Sequence, residues 1–200
     1  MKATVFDIET TDLGGNFGRL LCASFLNIGS DKVVTYRRDA KAFKGKRLTD
    51  DSKLAISIRD ELEKTDIVIG WNSILFDVPF LNARLAAIGQ RPIQIGEKFG
   101  TFHLDLMYYA GGQSMRLPGR RLDTVTKFFN VANLKTPLTP EVWADAAVGD
   151  LVAMNQVVEH CEADVRATAD VFPKLAPFVK KLQFNLSEVY PFLADIPSRR

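Results

Sequence analysis

Residues 2 to 9 read KATVFDIE, and the first half of this run is apolar on both parities up to Phe6. A strand exposed on one face alternates; one without alternation is buried on both faces, which requires helices above and below a sheet. The run then ends in Asp7-Ile8-Glu9. Side chains two apart on a strand point the same way, so the two carboxylates project together from a mostly apolar element. Burying like charges side by side is costly without a counter-charge, which a divalent cation held by oxygen ligands would supply. The plainer reading is that the strand simply ends there and both acids are solvated.

The rest of the chain reads as alternating elements. Residues 20–28 and 32–37 are two more strands, with Gly29-Ser30-Asp31 as a hairpin turn between them. Leu54, Ile58 and Leu62 recur every four residues behind Asp50-Asp51-Ser52, predicting a helix over 51–63 with that cluster as its N-cap. Residues 66–70 (DIVIG) form a short buried strand. After Asp77 the pattern predicts a helix with Pro79 in its first turn and Gly89 at its C-terminal stop. Residues 101–106 read as a fifth strand, and 121–130 and 151–172 as amphipathic helices. Three early strands followed by alternation predict an α/β fold whose sheet is antiparallel at first and then parallel.

With 200 residues and no repeat or linker, a single domain over residues 1–200 is expected. The absence of an apolar run of about 18 residues argues against a membrane span, and the acids in the first apolar stretch argue against a secretion signal. Cys22 and Cys161 both lie in apolar segments, excluding a disulfide scaffold or a cysteine-ligated zinc site and favouring a reducing, cytoplasmic compartment. A net charge of +2 excludes a DNA coat that binds by bulk charge and leaves room for a local basic patch.

Two further places carry chemistry. Asp77, in GWNSILFDVPFL, stands directly before a helix, where an N-cap role competes with a catalytic one; Asn72 and Phe76 in the same run read equally as a turn amide and a core aromatic. On the 151–172 helix, Met154, Val157, Val158, Cys161, Val165 and Thr168 cluster into one arc. At 100° per residue, Asp164 falls about 60° to one side of Cys161 and His160 about 100° to that side, on the rim of the buried stripe. An exposed His–Asp pair would be energetically trivial there. Taken together, four carboxylates from a strand end, a helix start and a helix rim would converge on two cations roughly 4 Å apart, the arrangement for in-line attack on a phosphodiester.

In FDIETTDL, GWNSILFDVPFL and HCEADVRAT, in that order and spanning residues 6–168, the chain resembles the DEDD 3′–5′ exonucleases of the ribonuclease H-like superfamily, and is most similar to the proofreading exonuclease domains of family B DNA polymerases. The resemblance implies a ribonuclease H-like mixed sheet flanked by helices. It implies two divalent cations, Mg²⁺ or Mn²⁺, held by Asp7, Glu9, Asp77 and Asp164. His160 would orient or deprotonate the attacking water. Its spacing, His160-x3-Asp164, is that of the family's tyrosine branch with the residue type of the other branch. By the same resemblance Thr10, Leu13, Asn72 and Phe76 would grip the terminal nucleotide. Asp105, in HLDLMYY, reads as a strand-end residue rather than a ligand.

Residues 37–47 carry six basic residues against one acid, and RLPGRR at 116–121 adds three arginines. Either run would track phosphates, or simply be solvated. The expected substrate is the 3′ end of single-stranded DNA, released as nucleoside 5′-monophosphates. The alternatives are a 3′–5′ exoribonuclease of the same fold or a catalytically weak nucleic-acid-binding module. A proofreading role would make a separate polymerase, or a repair protein, the partner.

Overall fold

The computed structural model describes residues 1–111, 115–117, 119–131 and 137–179. Pro118, inside the basic RLPGRR run, lies outside them. Five strands form one sheet: β1 (Ala3–Thr10), β2 (Leu20–Asn27), β3 (Val33–Arg37), β4 (Ile67–Gly70) and β5 (Phe102–Asp105), in the order β3-β2-β1-β4-β5. β1–β2 and β2–β3 pair antiparallel, while β1–β4 and β4–β5 pair parallel, as the alternation of elements predicts. Six α-helices and two short 3-10 helices (Glu97–Phe99 and Ala176–Phe178) complete the described chain: α1 (Ser52–Leu62), α2 (Asp77–Ala87), α3 (Leu106–Gly111), α4 (Leu122–Phe129), α5 (Pro140–Ala147) and α6 (Leu151–Leu175). Among the described residues no helix is long and apolar enough to cross a membrane.

The central strand decides where chemistry can sit. On β1, Phe6 and Ile8 pack with Val68 against Leu54 and Ile58 of α1 and Phe80 and Leu81 of α2. Ala3 and Val5, of the other parity, pack with Ile67 and Ile69 against Val165, Ala169 and Phe172 of α6. Asp7 and Glu9 continue this second row, so strand periodicity aims both at α6. Further along α6, Met154, Val157 and Cys161 close over Leu21 and Cys22 of β2, with Ala146 of α5 beside them.

β4 is shorter than β1. Their parallel pairing ends at Val5↔Ile69, and the chain turns away after Gly70. Ser73 folds back so tightly onto Gly70 that a side chain there would collide with it. The last part of β1 therefore has no strand on its β4 side, and a cleft opens at the carboxyl edge of the sheet. On the other side, a register shift between Glu9 and Thr10 marks a bulge, a device that re-aims side chains at strand ends.

One expectation needs correction. The Asp50-Asp51-Ser52 cluster precedes α1, but Asp51, at the N-cap position, makes no side-chain capping bond. Its carboxylate is buried and paired with Arg84 instead, because that guanidinium satisfies two oxygens at once. The sequence reading also passed over α5, which opens with Pro140 at its first turn.

Candidate active site

The end of β1, the start of α2 and the middle of α6 surround an open cleft of about 520 Å³. Asp7, Glu9, Asp77, His160 and Asp164 all line it, together with Asn72 and Phe76. Thr10 and Leu13 do not. The Thr10 hydroxyl donates to the Asp12 carbonyl at 2.8 Å, and Leu13 stands 84% exposed on the loop beyond.

Asp77 is the first residue of α2, and its side chain does not cap that helix from outside. Its Oδ1 accepts the Ile8 N–H at 3.1 Å, reaching across to the backbone between the two acids of β1. That N–H is available because β4 has already ended. Burial pushes the Asp77 carboxyl up to about 7, against the pull of the Ile8 N–H and its own backbone N–H, with Asp105 and Asp164 adding like charge. A carboxylate in this state favours a proton or a cation.

His160 and Asp164 are also buried, at 6% and 7% exposure, rather than standing on an exposed rim. For His160 the reason is α5: Trp143 stands edge-on to its ring, centroids 5.8 Å apart and planes at 84°, and covers the flank that helical periodicity left open. His160 Nε2 lies 3.8 Å from Glu9 Oε1. Ligand atoms of Glu9, His160 and Asp164 all lie within 4.8 Å of one another, as do those of Asp7, Glu9 and Cys161. Burial pushes the Cys161 thiol well up, so it stays neutral, its Sγ 3.5 Å from both the carbonyl oxygen and Oδ2 of Asp7.

Behind the cleft, Asp105 ends β5 as expected and has a supporting task. Its carboxylate accepts the backbone N–H groups of Asn72 (2.9 Å), Ile74 (3.0 Å) and Met107 (3.0 Å). This holds the turn after β4, in which Asn72 takes the left-handed conformation at φ 63°. Ser73 Oγ lies 2.9 Å from His103 Nε2, whose pKa is lowered by burial.

Sequence reasoning did not pick out Trp71, Met107 or Trp143, which also line the cleft. Arg120 and Arg121 line it too, and they belong to the basic run at 116–121. Trp71 Nε1 donates to the Arg120 carbonyl at 3.0 Å and ties that run to the cleft wall. For Trp143 the available signal was Thr139-Pro140-Glu141, a helix-start pattern.

A family model described as RNase_H superfamily matches residues 4–176. The chain belongs to the RNase H superfamily. The family B DNA polymerase of the hyperthermophilic archaeon Pyrobaculum calidifontis is similar in structure, with a TM-score of 0.70 and 19% sequence identity. The match covers 89% of this chain and 25% of the polymerase chain, so this chain spans about a quarter of the polymerase's length. No curated protein matches it in sequence. The superfamily assignment and the shared fold agree with the resemblance drawn from the three motifs. The fold is a nuclease fold, and the acidic cluster lies where its central strand ends.

Proposed function

We propose that this chain is a metal-dependent 3′–5′ exonuclease that hydrolyses phosphodiester bonds of single-stranded DNA and releases nucleoside 5′-monophosphates. The observation that carries the reading is the convergence of Asp7, Glu9, Asp77 and Asp164, from three elements, on one open cleft. The chemistry fits a hard divalent cation such as Mg²⁺ or Mn²⁺: ligand atoms of Asp7 and Glu9, and of Glu9, His160 and Asp164, are close-set, and Asp77, on the same cleft, is raised to a pKa of about 7 and lacks an ion-pair partner among the described residues. Asp7, Glu9 and Asp164 would hold one ion, and Asp7 with Asp77 a second. What such ions supply is charge that activates water and stabilises the leaving oxygen of a phosphodiester.

The chain's own residues do the remaining work. His160 accepts a proton from the attacking water at Nε2, its ring fixed by the edge-on Trp143. Asn72, set by Asp105, and Phe76, packed against Phe80 at 5.8 Å between ring centroids, form the wall that receives the terminal nucleotide. An aromatic wall suits an enzyme that reads no sequence, since every base has a π-face.

The test is single-stranded DNA labelled at its 5′ end, incubated with Mg²⁺, Mn²⁺ or EDTA. A ladder shortening from the 3′ end in either metal, absent with EDTA and absent in Asp7→Ala, is the expected result. Intact DNA in both metals, with RNA degraded under the same conditions, would move the assignment to an exoribonuclease. His160→Ala should slow turnover by roughly 10²- to 10⁴-fold, the usual worth of a general base, and His160→Tyr should retain substantial activity. Unchanged turnover in His160→Ala would remove His160 from the mechanism.

A further inference from the structure

A second cavity, of about 150 Å³, lies between residues 44–48 and the junction of α5 with α6. Arg38, Lys44 and Arg47 line it against one carboxylate, Asp39. That carboxylate is already gripped by Arg37, whose Nε and Nη2 donate to its two oxygens at 2.7 and 2.8 Å. Arg38 is the buried member, 5% exposed. Its Nη2 donates to the carbonyls of Ala146 (3.3 Å) and Ala147 (3.1 Å), which fixes the guanidinium at the end of α5. No carboxylate pairs with it among the described residues. Asp51 and Asp39 act on it electrostatically without pairing with it, and a buried cation fixed in place with no direct ion pair offers a site for an anion.

The opposite wall is equally fixed. Asp50 accepts the N–H groups of Lys46 (2.9 Å) and Ser52 (3.1 Å), and Gly45 passes so close to Asp50 that no side chain would fit there. Lys44 and Arg47 therefore sit on a pinned loop.

The cavity's place relative to the cleft follows from register. Glu9 pairs with Cys22, and Cys22 with Arg37, so Arg38 begins one residue beyond a row that crosses two strand spacings, about 10 Å, from Glu9. Along α6, Met154 on the cavity wall precedes His160 in the cleft by about 9 Å of helix rise. Both measures put the cavity roughly three nucleotides from the cleft at the stacked rise of about 3.4 Å per nucleotide.

We propose that this basic cavity is a subsite for a backbone phosphate of the substrate strand, about three nucleotides from the bond held at the acidic cleft. The proposal rests on the nuclease reading above and adds a length requirement to it. A phosphodiester fits because it carries a fixed negative charge at neutral pH and reaches the cavity whenever a strand is seated in the cleft.

The test compares turnover of a dinucleotide and of a strand of roughly twelve nucleotides over a salt series, for the wild type and for the double variant Lys44→Gln, Arg47→Gln. Arg38 also holds α5, so the two loop residues carry the test. The expected result is that the variant raises KM for the long strand about tenfold, as removal of a charge-assisted hydrogen bond should, and leaves the dinucleotide unchanged. The slope of log(kcat/KM) against log[salt] for the long strand should flatten by about 0.7 for each phosphate no longer neutralised. An unchanged KM and slope, or an equal rise in KM on the dinucleotide, would overturn the subsite. If the wild type cuts neither substrate, the nuclease reading itself falls, and the subsite with it.

Discussion

Two buried aspartates stand at the starts of two helices and face opposite fates. Asp51 precedes α1 and accepts the Leu20 N–H of β2 at 2.9 Å; Asp77 opens α2 and accepts the Ile8 N–H of β1 at 3.1 Å. Each therefore ties a helix start to a strand. Asp51 also receives Nε and Nη2 of Arg84, both at 2.9 Å, so its charge is balanced within the fold. Asp77 has no such cation among the described residues, and burial raises its carboxyl to about 7. One aspartate is a finished structural joint; the other carries a buried charge with no paired cation among the described residues. The same local geometry thus separates a stability residue from one we propose to be functional by the presence of a single guanidinium.

The largest expected effect breaks the finished joint. Arg84→Met should destabilise the protein by about 3–5 kcal/mol, because it strands the Asp51 carboxylate in the interior. Chemical denaturation measures this, and activity per folded molecule should be unchanged. An equivalent loss of activity in the folded fraction would mean that the two joints are not separable.

Asp77→Asn should act in the opposite direction. The amide oxygen still accepts the Ile8 N–H, while the ionisable group is gone. Because the folded pKa lies above the unfolded one, Asp77 favours the metal-free fold below about pH 4 and loses that contribution as pH rises through about 7. Metal-free Asp77→Asn should therefore gain a few kcal/mol of stability, about 3–4, over the wild type at pH 8, and gain little at pH 4. Thermal melts in EDTA at the two pH values decide it; equal differences at both would remove Asp77 as a frustrated charge. The smallest effect belongs to the cation itself. Mg²⁺ at a hundredfold its dissociation constant should stabilise the wild type by about 2.7 kcal/mol at pH 8. Asp77→Asn should show less of that gain.

Much of this was legible in the sequence where the signal was local. The double-parity apolar run of β1 announces a central strand, and the spacing of Asp7 and Glu9 places both on one face. The mixed sheet, antiparallel at first and then parallel, followed from the alternation of elements, while the strand order came only with the structure. The difference between Asp51 and Asp77 was not legible, since both read as helix caps and the residue that distinguishes them, Arg84, lies 33 positions from Asp51. The burial of His160 and Asp164 was hidden for a related reason. Helical periodicity describes what one helix presents, not what covers it, and for His160 the covering residue is Trp143 of the eight-residue α5. Asp105 was correctly placed at a strand end, but two of its three amide partners, Asn72 and Ile74, belong to a turn whose path depends on where β4 stops.

The acidic cleft closes over long stretches of chain: 154 residues separate Asp7 from Cys161, the α6 residue that touches it. Translation at about 5–20 residues per second puts roughly 8–30 s between the synthesis of the two. During that interval the nascent chain carries its central strand and first carboxylate pair without the helix that completes the site. A ribosome-bound fragment ending before α6 lacks His160 and Asp164 and, under the proposed function, would be catalytically silent until α6, in the last sixth of the described chain, has emerged.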